Sequence, residues 1–141
     1  MLRVVPQLKL VLGLLFALAA PGCMVPVADH HGPTVFDNTG TLSLDWTVDN
    51  SHEPVACDDF GADSIELIVY DRRGDEAAHI EQNCDDFGSS VDLPEDVYSL
   101  DATLLDRHGQ ATTTTVALDD IYIYASEETV IPMDFPNSSL L

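Results

Sequence analysis

Thr41-Leu42-Ser43-Leu44-Asp45-Trp46-Thr47-Val48 alternates without a fault. Leu42, Leu44, Trp46 and Val48 face one way, and Thr41, Ser43, Asp45 and Thr47 face the other. Successive side chains leave a pleated backbone on opposite sides, so a period of two means a strand with one buried face. The single tryptophan of the chain falls on the apolar side and is expected to anchor the core.

The same period recurs along the chain. Val97 to Asp106 puts Tyr98, Leu100, Ala102 and Leu104 on one face. Ile65, Leu67 and Val69 alternate with Glu66, Ile68 and Tyr70, and Glu76 to Gln82 returns as a weaker strand with Ala78 and Ile80 inward. Asp71-Arg72-Arg73-Gly74 between them reads as a hairpin turn, with Asp opening it and Gly supplying the positive φ. Asp106-Arg107-His108-Gly109 echoes that turn. Val91 and Leu93 form a short strand that Pro94-Glu95-Asp96 turns. Thr112 to Leu118 is Thr-rich and β-prone, and Asp119-Asp120 is expected to turn into Ile121-Tyr122-Ile123-Tyr124. Thr129 to Phe135 makes a last strand with Ile131, Met133 and Phe135 inward. Pro132 cannot donate to a ladder, which places this strand at a sheet edge. Seven or eight short strands, turning about every 8–12 residues, predict an all-β fold: an antiparallel β-sandwich.

Cys57-Asp58-Asp59-Phe60-Gly61 is written again as Cys84-Asp85-Asp86-Phe87-Gly88, 27 positions later. If strands run alternately up and down, the loops before Ile65 and after Gln82 lie at one end of the sandwich. The two copies then meet, and Cys57 is expected to form the one disulfide with Cys84. The zinc alternative lacks a second close cysteine or histidine at ligand spacing. Pairing would also gather Asp58, Asp59, Asp85 and Asp86. Calcium takes carboxylate oxygens, so these four are a candidate Ca²⁺ site, although no EF-hand spacing is present. The alternative is two solvated acidic loops, with Phe60 and Phe87 plugging the end of the sandwich.

The beginning of the chain has another character. Arg3 and Lys9 precede an apolar run from Leu10 to Ala20, which is too short to span a bilayer as a helix and reads as a secretory signal. Ala20-Pro21-Gly22-Cys23 resembles the lipobox of bacterial lipoproteins. That resemblance implies a signal peptide over 1–22, acylation of Cys23, and anchoring to a membrane through the N-terminal lipid. With Met24 rather than aspartate after the cysteine, it implies the outer membrane or cell surface of a bacterium. Cysteine arithmetic agrees, since acylating one of three leaves two to pair in an oxidising compartment. Residues 23–39 then form a tether, 40–136 the sandwich and 137–141 a tail. His30-His31 in the tether has no further ligand nearby and reads as solvated linker. Within the sandwich, Leu93-Pro94-Glu95-Asp96-Val97-Tyr98, followed by Leu104-Leu105-Asp106, resembles a motif of bacterial prealbumin-like or carboxypeptidase-regulatory-like sandwiches. Asp96 stands where that motif has glycine.

All 25 acidic residues lie beyond Cys23, against Arg72, Arg73 and Arg107, for a formal charge of 3 − 25 = −22. This balance excludes nucleic acid and anionic lipid surfaces as partners, because both require clustered positive charge. Without a lysine beyond Cys23, an isopeptide lock through lysine is also excluded. No Gly-x-Ser-x-Gly, His-Glu-x-x-His or phosphate-binding loop occurs. His52, His79 and His108 are isolated in sequence, and a triad of one of them with Ser51 or Ser64 is a remote alternative. The sequence therefore leads to a non-enzymatic, lipid-anchored envelope module with a structural or adhesion role, its partner an envelope protein or an extracellular glycan. The alternative is a calcium- or carbohydrate-binding module using the acidic loops. A hydrolase ranks third and predicts a deep pocket holding a histidine.

Overall fold

The computed structural model describes residues 38–141. The expected signal peptide, Cys23, His30-His31 and nearly all of the tether lie outside the described residues. Seven strands form two packed sheets: β1 (Thr39–Val48), β2 (Ser64–Tyr70), β3 (Glu76–Asn83), β4 (Gly88–Pro94), β5 (Asp96–Leu105), β6 (Val116–Ile123) and β7 (Glu128–Phe135). One sheet runs β4-β1-β7 and the other β3-β2-β5-β6. Strand direction alternates along the chain, so odd-numbered strands share one direction. Every neighbouring pair joins an odd to an even strand and is antiparallel, except β1 with β7, which is parallel. The sandwich expected from the sequence thus closes one sheet by laying the last strand beside the first.

The inward faces follow the alternation read from sequence. Leu42, Trp46 and Val48 of β1 are fully buried, as are Ile65, Leu67 and Val69 of β2 and Leu100, Ala102 and Leu104 of β5. At about 25 cal/mol per Å² of apolar surface removed from water, these rows supply the main driving force for packing the sheets. Every buried polar side-chain atom among the described residues has a partner. The hydroxyl of buried Tyr98 donates to the Pro94 carbonyl at 2.9 Å and pins the β4–β5 crossing. Burial in turn pushes the Tyr98 phenol above its ordinary pKa, with Asp96 and Asp71 adding to the shift.

The two aspartate-led turns are built alike. In each, the Gly amide bonds back to the Asp carbonyl, at 2.9 Å for Gly74 and 2.8 Å for Gly109. Both glycines sit in the left-handed region, at φ 83° and 72°. A type I turn followed by a left-handed glycine is a common hairpin closure. The turns occupy opposite ends of the sandwich, because β2 and β5 run antiparallel with Ser64 opposite Leu105.

Three details differ from the sequence reading. Asp119-Asp120 is not a turn: β6 runs straight through it, with both residues opposing Ser99 of β5 as a bulge. Asp120 absorbs the extra residue at φ 56°, a conformation that aspartate tolerates better than most residues. The loop from Asp49 to Asp63 contains a short helix, α1 (Pro54–Asp59), started by the proline at its N-terminus. Residues 137–141 are not a loose tail. Ser139 is buried, and the Thr114 and Leu141 amides bond to the Ser139 and Thr112 carbonyls at 2.8 and 3.0 Å.

Candidate functional site

The two copies of the repeat meet where the chain crosses between sheets. Cys57 lies on α1, the β1–β2 crossover, and Cys84 opens a 3-10 turn (Cys84–Asp86) in the β3–β4 crossover. They form a disulfide with Cα atoms 6.1 Å apart, and both are buried. The bridge therefore clamps two inter-sheet crossovers to each other. Its surroundings are rigid. Trp46 Nε1 donates to the Cys84 carbonyl at 2.9 Å, the Cys84 amide to the Asp63 carbonyl at 3.0 Å, and the Ala62 amide to the Cys57 carbonyl at 2.9 Å.

Identical sequence does not give identical structure here. The first copy ends a helix, Phe60 is right-handed and Gly61 takes the left-handed cap at φ 64°. In the second copy Phe87 itself is left-handed, at φ 52°, and Gly88 begins β4. Phe60 is buried in the core, whereas Phe87 packs against its margin with the His52 ring edge-on at 5.5 Å.

The four aspartates are consequently not a cluster. Asp58 and Asp85 line one depression of about 400 Å³ beside the bridge, together with Asp63 and Asn83. Asp59 faces a different depression beside Asp49 and Phe60. Asp86 accepts a hydrogen bond from Gln82 Nε2 at 3.0 Å. Neighbouring residues of a helical turn point about 100° apart, so adjacent aspartates cannot face one point together. Among the described residues no group of three or more His, Cys, Asp or Glu is placed to hold a metal ion. The four residues of the expected calcium site, Asp58, Asp59, Asp85 and Asp86, thus do not line one depression.

His52, His79 and His108 are all exposed. His52 Nε2 lies 3.3 Å from Asp45 Oδ1, and His79 Nε2 lies 3.0 Å from Glu66 Oε1. Ser51 Oγ accepts from the Glu53 amide at 3.0 Å, and the Ser64 hydroxyl donates to Glu81 at 3.3 Å. His108 lines an open depression of about 380 Å³ with Asp58, Asp106 and Arg107, and its Nε2 accepts from Arg107 Nε at 3.2 Å.

Among the described residues two carboxylates, Asp71 and Asp106, titrate below their ordinary range, and both do so for a local reason. The Asp71 carboxylate is held down chiefly by hydrogen bonds from the Asp75 and Arg73 amides, and Asp106 by those from Gln110 and His108. Each closes its own turn. The sequence signal for this was present in the two Asp-led tetrapeptides.

No protein-family model matches the chain, and no curated protein matches it. Among solved structures, the chain resembles a crystal structure from Bacteroides thetaiotaomicron VPI-5482, described as "putative polysaccharide binding proteins". The two are 14% identical with a TM-score of 0.40, over 66% of this chain and 46% of the other. At that level the likeness transfers neither fold nor function.

Proposed function

We propose that this chain is a non-enzymatic binding module of a bacterial cell envelope, lipid-anchored through Cys23 at the outer membrane or cell surface. The supporting observation is the Cys57–Cys84 bridge, which accounts for two of the three cysteines and leaves Cys23, beside the lipobox-like residues, as the third. A buried disulfide fits an exported protein, because the reducing cytosol does not sustain one. The non-enzymatic part rests on the exposed histidines and on shifted pKa values that turns and burial explain, since active sites are where unexplained shifts gather. Asn38 and Thr39 lead into the sandwich at the end opposite the bridge, because Thr39 pairs with Pro94 while Asp45 pairs with Gly88.

Membrane fractionation of cells expressing the full chain tests the anchor. Wild type is expected in the membrane fraction with an acyl mass on the new N-terminus, and Cys23→Ser is expected in the soluble fraction or unprocessed. An unmodified Cys23 in secreted wild-type protein would refute the anchor. Pull-down from envelope extract then tests for a protein partner.

A further inference from the structure

We propose that the outer face of the four-stranded sheet binds a neutral polysaccharide, with Tyr122 and Tyr124 as its stacking platform. This rests on the binding-module reading and is independent of the lipid anchor. The chain has four tyrosines. Tyr98 is buried, but Tyr122 and Tyr124 are each 51% exposed, which for large aromatic rings forgoes much available burial. Tyr122 lies on β6 and Tyr124 is the first residue past its end, so the two fall on the side opposite buried Ile121 and Ile123. Their rings are nearly parallel, 14° between planes, with centroids 6.5 Å apart. The backbone beneath is held, since the Thr129 hydroxyl on β7 donates to the Tyr122 carbonyl at 2.9 Å. Exposed tyrosines on a rigid strand offer broad amphipathic contact at small entropic cost.

Polar groups adjoin the pair. Val97 is the cross-strand partner of Tyr122 and also lines a depression of about 550 Å³. Ser99 lies beside Val97 in it, the Asp71-Arg72 turn borders it, and so do both bulge residues, Asp119 and Asp120. Arg72 is itself paired with Asp96 at 2.8 Å. The bulge matters because it sets two consecutive residues, Asp119 and Asp120, opposite the one residue Ser99, and all three line the depression. The depression thus offers donors from Arg72 and Ser99 and acceptors from the carboxylates, next to an aromatic surface. Binding sites typically combine apolar contact area with a few convergent polar groups.

The charge selects the ligand. Carboxylates at Asp71, Asp119 and Asp120 repel an anionic glycan or a phosphate-bearing surface, and Arg72, the one basic residue lining the depression, is already paired with Asp96. An uncharged pyranose chain meets no such penalty. Its hydroxyls both donate and accept, and its C–H faces can lie on the tyrosines.

Affinity electrophoresis of the full chain in a zwitterionic, sugar-free detergent tests this, with gels containing a soluble β-glucan, a mannan, a xylan or polygalacturonate. Retardation by at least one neutral polymer, and none by the anionic one, is expected. Tyr122→Ala/Tyr124→Ala should weaken it about tenfold or more, equivalent to about 1.4 kcal/mol. The Phe double variant should retain most of it, because the ring supplies the contact. Asp58→Asn/Asp85→Asn, beside the bridge, should leave it unchanged. No retardation in any neutral polymer overturns the proposal, as does loss only in the Asp58/Asp85 variant, which would put binding at the stapled end. A protein captured from envelope extract equally by wild type and the Tyr→Ala variant, with no glycan retardation, would keep the binding-module reading and reject this one.

Discussion

The indole nitrogen of Trp46 donates to the carbonyl oxygen of Cys84 at 2.9 Å. The largest fully buried side chain is thereby tied to the residue that carries one half of the staple. The bond links the last part of β1 to the second crossover, so core packing and crossover geometry depend on each other. Trp46→Phe removes the donor, strands a carbonyl and leaves a void. It is expected to cost roughly 2–4 kcal/mol, read as a lower urea midpoint with the slope unchanged.

Removing the staple acts mainly on the unfolded chain. Closing a loop across 27 residues is worth about 3.5 kcal/mol in the chain-entropy picture. Cys57→Ala/Cys84→Ala should lose roughly 2–4 kcal/mol by chemical denaturation. A loss no larger than that of a surface substitution would show that the crossovers are held by packing alone.

The glycines of the repeat should respond unequally although their neighbours are the same. Gly61 has φ 64°, so Gly61→Ala strains the backbone and should cost about 1 kcal/mol. Gly88 lacks a positive φ and an added Cβ would sit at ordinary contact, 3.6 Å from the Leu44 carbonyl oxygen, so Gly88→Ala should be milder. Gly40→Ala is the severe case. Its Cβ would collide with the Tyr124 carbonyl oxygen and lie 2.9 Å from that of Glu127. Both are backbone atoms, and a loss beyond about 3 kcal/mol is expected in thermal melts.

The turn carboxylates predict an acid limb. Asp71 and Asp106 have folded pKa values below the reference 3.8. Above 3.8 both folded and unfolded states are ionised, and the contribution of each turn is fully present. As pH falls through 3.8 the unfolded chain takes up the proton first, and the contribution fades until the folded pKa is passed. The stability gap between wild type and Asp71→Asn/Asp106→Asn should therefore be constant near neutrality and close below about pH 4. Urea midpoints measured across that range check it; a gap that widens with acid would contradict the assignment.

Calcium should not stabilise the fold. Among the described residues no three carboxylate, histidine or cysteine side chains stand close enough together to hold one ion. Melting midpoints in calcium and in chelator at matched ionic strength are expected to coincide. A rise with calcium, the mass-action signature of a bound ion, would show that the loops rearrange to make a site.

What could be read in advance followed local rules. The β1 and β5 alternations showed which side of each strand is buried, and Pro132 marked β7 as an edge, which it is. The two Asp-led tetrapeptides specified their turns down to the left-handed glycine. Asp119-Asp120 misled because adjacent aspartates have the composition of a turn. Only the pairing of Tyr98 with Ile121 and Leu100 with Leu118 makes them a bulge. Nothing local to Tyr122 and Tyr124 showed that both rings would stand in solvent beside that bulge.

Sequence alone determined the β class, the buried faces and the partnership of Cys57 with Cys84, because strand period and alternating direction are properties of the chain itself. Tertiary structure alone decided that β7 lies parallel to β1, and that two identical pentapeptides take different backbones. One copy must end a helix and the other must begin a strand. Backbone conformation there is set by what each crossover has to reach, and five shared residues carry no information about that.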